Sequence, residues 1–402
     1  MNDQFYRIRR LPPYVFAEVN AMKARARAEG EDIIDLGMGN PDGAPAPHII
    51  AKLCEVARDP GAHGYSASKG IKGLRKAQAA YYQRRFGVEL DPDTEVVVTL
   101  GSKEGLANLA QAITAPGDVV LAPNPSYPIH TFGFIITGAA IRSIPAAPGP
   151  DFFLRLEYAM AYSVPKPSVL VIGYPSNPTA YVADLAFYRE VVAFAREHKL
   201  WVISDLAYAE IYFGDEPTPS ILQVPGGKDV AVEFTSMSKT YSMAGWRMGF
   251  AVGNPVLIDA LARVKSYLDY GAFTPIQAAA VAALNGPQDA VAANRALYKA
   301  RRDVMVDSFT RAGWDVPSPQ ASMFAWAPIP PALAHLGSVE FAKRLLSEAK
   351  VAVAPGAGFG SEGEGFVRLA LVENEQRIRQ AARGVKKFLL ANGVNGPGGQ
   401  GQ

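Results

Sequence analysis

The sequence predicts an α/β protein: a large domain with a mostly parallel sheet between helices, joined to a smaller α+β domain. Three observations carry this. Between residues 95 and 235 the chain repeats one unit, a short β-branched or apolar run, a loop, then an amphipathic helical stretch, which is the pattern of parallel strands with crossover helices. A long helical pattern at 289–312 follows, and beyond it strand-like runs at 324–327, 351–354 and 367–371 alternate with helical runs at 339–349 and 375–392. The chain has 402 residues, 49% of them hydrophobic, enough for a large core and too many for one small domain. The expected division is an N-terminal arm with part of the small domain at 1–45, the large domain at 46–290, the C-terminal small domain at 291–392, and a disordered tail at 393–402 rich in Gly with Pro and Gln.

Composition excludes several classes of function. Lys plus Arg (40) nearly balance Asp plus Glu (38), so no bulk field draws the chain to nucleic acid or an anionic membrane. Cys54 is the only cysteine, which excludes an internal disulfide and a cysteine-rich zinc site. His48, His63, His130, His198 and His335 form no H-x-x-x-H pair, so a metal centre has little support. Arg7, Arg9 and Arg10 precede Leu11-Pro12-Pro13-Tyr14, which interrupts any signal-like apolar run. Nothing approaches the roughly 20 apolar residues of a membrane helix. A cytoplasmic protein acting on small molecules is expected.

Taken in order, residues 14–29 have helical spacing and stop at Gly30. A short strand at 33–36 runs into Gly37-Met38-Gly39-Asn40-Pro41-Asp42-Gly43, where glycines either let backbone approach a ligand or form a plain turn. The strands of the repeat fall at 95–99, 119–122, 169–173, 201–205 and 230–234. In such sheets ligands bind outside the carboxyl ends of the strands, so the loops that follow are where chemistry belongs.

Gly101-Ser102-Lys103 opens a helix at 104–113, and is either an anion site or a simple serine cap. Asn124-Pro125-Ser126-Tyr127-Pro128 presents Tyr127 between rigid prolines, as a plate for a flat ring or as a half-buried core tyrosine. Tyr174-Pro175-Ser176-Asn177-Pro178-Thr179 holds Asn177, whose amide both donates and accepts; otherwise it is a turn residue. Asp205, before Leu206-Ala207-Tyr208, is a carboxylate at the buried end of a strand, costly unless a cation or strong donor meets it.

The last loop of the repeat, Ser236-Met237-Ser238-Lys239-Thr240, is followed by Gly245-Trp246-Arg247-Met248-Gly249-Phe250 and the next strand. A lysine there has its ammonium form disfavoured by a neighbouring cation and by burial, which makes an amine nucleophilic near neutral pH. It is no P-loop, since no G-x-x-x-x-G precedes Lys239. Gly358-Phe359-Gly360-Ser361-Glu362-Gly363 matches G-x-G-x-x-G by letters, but a strand follows where a dinucleotide site needs a helix.

Together these loops supply an amine (Lys239), an anion cradle (Ser102, Lys103, Ser236, Ser238, Arg247), a carboxylate (Asp205), an aromatic plate (Tyr127) and two further polar partners (Asn177, Tyr208). An aldehyde-bearing pyridine with a phosphate uses all of them, and pyridoxal 5'-phosphate fits.

Asn177-Pro178-Thr179, Asp205-Leu206-Ala207-Tyr208, Ser236-Met237-Ser238-Lys239 and Arg368-Leu369-Ala370 resemble, in order and spacing, the motifs of the fold type I, class I/II aminotransferases. The resemblance runs from Leu11-Pro12-Pro13 to Arg379-Gln380-Ala381 and implies a seven-stranded sheet in the large domain. It implies that Lys239 bonds the cofactor aldehyde and moves the proton at the substrate Cα, and that Asp205 keeps the pyridine nitrogen protonated. It implies further that Tyr208 and Asn177 hold the ring hydroxyl, that Tyr127 stacks on the ring, and that Arg368 clamps the substrate carboxylate beside Asn177 and the Gly39 amide. Without it, Arg368 in Phe366-Val367-Arg368-Leu369 reads as an edge-strand arginine. Tyr65, in His63-Gly64-Tyr65-Ser66, resembles a tyrosine that reaches the neighbouring subunit's phosphate, which implies a homodimer.

Leu11-Pro12-Pro13-Tyr14-Val15-Phe16, the Gly37 to Gly43 loop, Gly101-Ser102-Lys103-Glu104-Gly105 and Ser266-Tyr267-Leu268-Asp269-Tyr270-Gly271 look like the bacterial alanine (glutamate-pyruvate) aminotransferases. Diaminopimelate aminotransferases, and those acting on methionine or aromatic amino acids, share much of this pattern. The expected reaction is ping-pong transamination between L-alanine and 2-oxoglutarate. A lyase of the same fold would need a further nucleophile or base that the sequence does not mark. A ligand-sensing regulator would carry a DNA-binding region, for which the residues before Leu11 leave no room. No arginine or lysine is marked for the distal carboxylate of glutamate.

Overall fold

The computed structural model describes residues 5–12 and 15–394. Pro13 and Tyr14 of the N-terminal motif, and the expected tail from residue 395, lie outside the described residues.

Among the described residues, twelve strands organise the fold: β1 (Ile34–Asp35), β2 (Val96–Thr99), β3 (Val119–Asn124), β4 (Ala140–Pro145), β5 (Val169–Ile172), β6 (Trp201–Asp205), β7 (Ala231–Ser236), β8 (Gly249–Gly253), β9 (Phe324–Pro328), β10 (Val351–Ala352), β11 (Ala354–Pro355) and β12 (Phe366–Ala370). Seven form one sheet in the order β2-β8-β7-β6-β5-β3-β4. Only β8 runs against its neighbours, so the sheet is seven-stranded and mostly parallel, as expected.

Alternation along each strand divides the core between two faces. Val97, Val120, Val171, Ile203 and Val232 pack on one face, while Val96, Leu121, Leu170, Val202 and Ala231 pack on the other. Both faces are apolar, which explains why the strands read as continuous hydrophobic runs. The exception is β4, at the sheet edge, where Arg142 and Ser143 are exposed; its polar character hid it from a search for apolar runs.

A second core surrounds the antiparallel sheet β11-β12-β9. Here β12 is the central strand, flanked by β11 and β9, so Arg368 is not on an edge. Ile34 and Asp35 pair with Val351 and Ala352 in parallel, so residues near the N-terminus join this later part of the chain. Helix Asp289–Arg311 contributes Tyr298, Met305 and Phe309 to the same core. The Gly358 to Gly363 stretch forms two short 3-10 turns ahead of β12, in agreement with rejecting a dinucleotide loop.

Candidate active site

The carboxyl ends of β2, β3, β5, β6 and β7 converge on a cavity of about 340 Å³. Its other wall comes from the 37–43 loop, β12 and the residues around Phe324.

After β7 the chain turns into a single helical turn, Met237–Thr240, where a loop was expected. Ser236 caps it: its Oγ accepts from the Ser238 amide at 3.2 Å, satisfying a donor that the turn leaves open. This places Lys239 in the cavity, with Nζ donating to the Gly39 carbonyl at 2.7 Å. Burial, assisted by the charges of Arg368 and Arg247, lowers the lysine from 10.5 to about 8. A useful fraction of the amine is therefore neutral near physiological pH.

Asp205 ends β6. Its Oδ2 lies 2.8 Å from His130 Nε2 and its Oδ1 accepts from the Ala207 amide at 3.2 Å. His130 sits on helix Pro128–Thr137 and is buried. Gly173, just after β5, leaves room for this contact, since a Cβ there would lie 3.0 Å from the imidazole. The carboxylate thus meets the strong partner its burial requires.

Across the cavity, Gly101 (φ +85°) precedes helix Ser102–Ile113. Gly101 holds the N-cap position, so Ser102 is the first helical residue and not the cap. Arg247 donates to Ala244 O at 2.8 Å and to Leu100 O at 3.3 Å, which lays it over Gly101 so closely that a Cβ would stand 2.1 Å from Nη2. Together, a helix N-terminus, the hydroxyls of Ser102, Ser236 and Ser238, and Arg247 form a cup suited to a dianion. The Lys103 ammonium lies 5.9 Å from the Tyr127 ring centroid, and that ring meets His130 edge-on at 5.9 Å.

On the opposite wall, Arg368 is buried with Nη1 donating to Asn177 Oδ1 at 2.8 Å and Nη2 to Gly37 O at 2.9 Å. Its guanidinium lies 4.0 Å over the Phe324 ring. Tyr208 is buried against the same ring, centroids 5.7 Å apart, and burial holds its phenol well above the ordinary value. Gly39 is tight against Phe324, where a Cβ would lie 2.5 Å from the ring. Its carbonyl accepts from Lys239 Nζ.

Every predicted site residue except Tyr65 lines this one cavity. Tyr65 is 90% exposed and packs against Tyr270 with the rings tilted by 33° and centroids 4.6 Å apart. The donor set fits pyridoxal phosphate: an amine for the aldehyde, a hydrogen-bonded carboxylate for the ring nitrogen, and a cup for the phosphate where Gly101 leaves room for Arg247.

The sequence model of the family described as aminotransferase class I and II matches residues 31–385. The chain belongs to that family. This aminotransferase is therefore a pyridoxal-phosphate-dependent enzyme of fold type I, acting on amino and 2-oxo acids. It is 66% identical over 387 residues to a putative aminotransferase of Rhizobium meliloti (strain 1021), covering 96% of both chains. It is 56% identical to the glutamate-pyruvate aminotransferase AlaC of Escherichia coli (strain K12), covering 97% of this chain and 95% of that one. With an LL-diaminopimelate aminotransferase of Dehalococcoides mccartyi (strain ATCC BAA-2100) the identity is 44%, over 93% of this chain and 96% of that one. Among solved structures, substrate-bound BacF of Bacillus subtilis superposes with a TM-score of 0.90 at 35% identity, covering 96% and 98% of the two chains.

Sequence reasoning passed over His130, Gly173 and Phe324 in this aminotransferase. His130 carried a usable signal, a lone histidine in the apolar run Ile129 to Phe134, three residues after Tyr127. Phe324 carried none, because its place over Arg368 depends on how β9 meets β12. Among the described residues no His, Cys, Asp or Glu group could hold a metal ion, and no helix is long and apolar enough to cross a membrane.

Proposed function

We propose that this aminotransferase exchanges the amino group between L-alanine and 2-oxoglutarate, giving pyruvate and L-glutamate by a ping-pong route. The observation that carries the reading is the 56% identity, over almost the whole of both chains, to a glutamate-pyruvate aminotransferase.

Pyridoxal phosphate, when bound, supplies an aldehyde for the substrate amine and a protonated ring that accepts the electron pair left when the Cα–H bond breaks. The chain's own residues do the rest. Lys239 Nζ, partly neutral because burial lowers it to about 8, removes the proton from the substrate Cα and returns it during the exchange. Asp205, steadied by His130, holds a proton on the ring nitrogen. Asn177 and Tyr208 would hold the ring hydroxyl, and Tyr127 would cover one ring face. Ser102, Ser236, Ser238, Lys103 and Arg247 hold the phosphate.

Arg368 grips the substrate α-carboxylate with two parallel hydrogen bonds, which orients the Cα–H bond for transfer. Asn177, 2.8 Å from the guanidinium, shares that carboxylate. Tyr65, exposed at 90%, completes the phosphate site of the partner subunit in a homodimer.

The second reading, transamination of LL-diaminopimelate, is favoured by the 44% identity to enzymes of that name; donors such as methionine or aromatic amino acids belong with it. A panel of amino donors against pyruvate and 2-oxoglutarate separates these. The proposal requires L-alanine with 2-oxoglutarate to give the highest kcat/KM. A higher value for LL-diaminopimelate or an aromatic donor replaces it with the second reading.

A further inference from the structure

One buried charge outside the cavity joins three segments that the site depends on. Arg301, on helix Asp289–Arg311, is 4% exposed. Its guanidinium grips Asp42 with two prongs, Nη1 to Oδ1 at 2.8 Å and Nη2 to Oδ2 at 2.7 Å. Nη1 also donates to the carbonyl of Leu371 at 3.2 Å, the residue that follows β12. A buried guanidinium is costly unless its partners are well placed, so this arrangement pins whatever Asp42 belongs to.

Asp42 belongs to the 37–43 loop. At the loop's other end the Gly37 amide donates to Asp35 Oδ1 at 3.1 Å. Between these anchors the loop turns two carbonyls inward: Gly37 O accepts from Arg368 Nη2 at 2.9 Å and Gly39 O accepts from Lys239 Nζ at 2.7 Å. Met38 is 53% exposed and the Asp42 side chain 45% exposed, so the loop is a thin wall between Lys239 and solvent. Within it, Asp42 is the charged side chain that anchors the wall to the helix.

We propose that Arg301 is a positioning residue: acting through Asp42, it sets the 37–43 loop and with it the two carbonyls that aim Arg368 and Lys239. The proposal rests on the reading of Arg368 as the carboxylate clamp and Lys239 as the reacting amine. When the loop slackens, Arg368 loses its second anchor and water reaches Lys239. Arg368, Arg247, Lys103, Lys23, Asp35, Asp205, His130, Tyr127 and Tyr208 are the other titratable groups that line the cavity. A change at Arg301 replaces none of these side chains, so a shift in Lys239 reports hydration of the amine together with any displacement of Arg368, whose charge also lowers it.

The test uses Arg301→Met, which removes the fork, Arg301→Lys, which keeps the charge, and Asp42→Ala at a half-exposed position. In the holoenzyme, Arg301→Met is expected to raise KM for the amino donor about tenfold with kcat changing less than about threefold, and Arg301→Lys to recover part of the loss. Asp42→Ala should reproduce the effect, and the double variant should be no worse than either single one. A second readout needs no cofactor. Reductive methylation of the cofactor-free protein across pH, followed at the Lys239 peptide by mass spectrometry, should show a midpoint near 8 in the parent. The midpoint should rise by about one unit in the Arg301 and Asp42 variants as desolvation is relieved.

If Arg301→Met does not fold, Asp42→Ala carries both measurements. A parental KM or a parental midpoint in a folded variant overturns the proposal. Arg368→Lys separates the two layers: if it raises donor KM while Arg301→Met does not, only the role of Arg301 fails. If Arg368→Lys leaves KM unchanged, the clamp reading is what fails.

Discussion

His130 meets Asp205 side chain to side chain, its Nε2 2.8 Å from Oδ2, with both groups largely buried. The pair joins elements that lie on either side of β5 in the sheet, since His130 follows β3 and Asp205 ends β6. It fixes one carboxylate oxygen, so the carboxylate keeps one orientation towards the cavity. Replacing His130 by Phe removes a charge-assisted hydrogen bond worth about 1.5–3 kcal/mol, which lowers kcat about 10- to 100-fold. Steady-state kinetics with kcat within twofold of the parent would show that Asp205 holds its place unaided.

Asp205→Ala tests the proposed proton holder at the ring nitrogen. The expected loss is several kcal/mol of carbanion stabilisation, roughly 10³-fold or more in rate. A fall of less than about tenfold would assign the ring nitrogen to another group.

Lys239 makes a prediction about pH as well as about turnover. Lys239→Ala abolishes turnover, and borohydride treatment of the parent leaves a pyridoxyl mass on the peptide containing residue 239. In the cofactor-free protein the amine falls from 10.5 to about 8 on folding. A lowered lysine costs stability fully below the folded value, and the cost disappears as pH rises to the unfolded value. Lys239→Met should therefore stabilise the cofactor-free protein by up to roughly 3 kcal/mol at pH 7, and by progressively less towards pH 10.5. Urea unfolding of both proteins at several pH values measures this, and a gain independent of pH would contradict it.

Gly101→Ala tests the phosphate cup. The new methyl would stand 2.1 Å from Arg247 Nη2 and the backbone is at φ +85°, where a side chain adds about 1–2 kcal/mol of strain. Arg247 must move, so affinity for pyridoxal phosphate should weaken at least about tenfold. Affinity for unphosphorylated pyridoxal should change little. Equal losses for both ligands would mean that the glycine serves the fold and not the phosphate.

The five parallel strands of the repeat were legible because each is buried on both faces and so appears as an apolar run. β4 was not, because its exposed Arg142 and Ser143 break that run. Lys239, Asp205, Asn177 and Arg368 stood out as polar groups at strand ends or in a recognisable order. His130 and Phe324 did not, because each matters through a partner remote in the chain: Asp205 in one case, Arg368 in the other.

The sequence by itself determined the α/β class, the family and the inventory of reactive groups, since periodicity and local motif order are properties of neighbouring residues. Only the tertiary structure decided which groups touch. Lys239 meets a carbonyl 200 positions away, and Arg368 meets Asn177 at a separation of 191. Burial at that junction is what lowers the lysine, and burial is a sum over residues that chain order alone does not bring together.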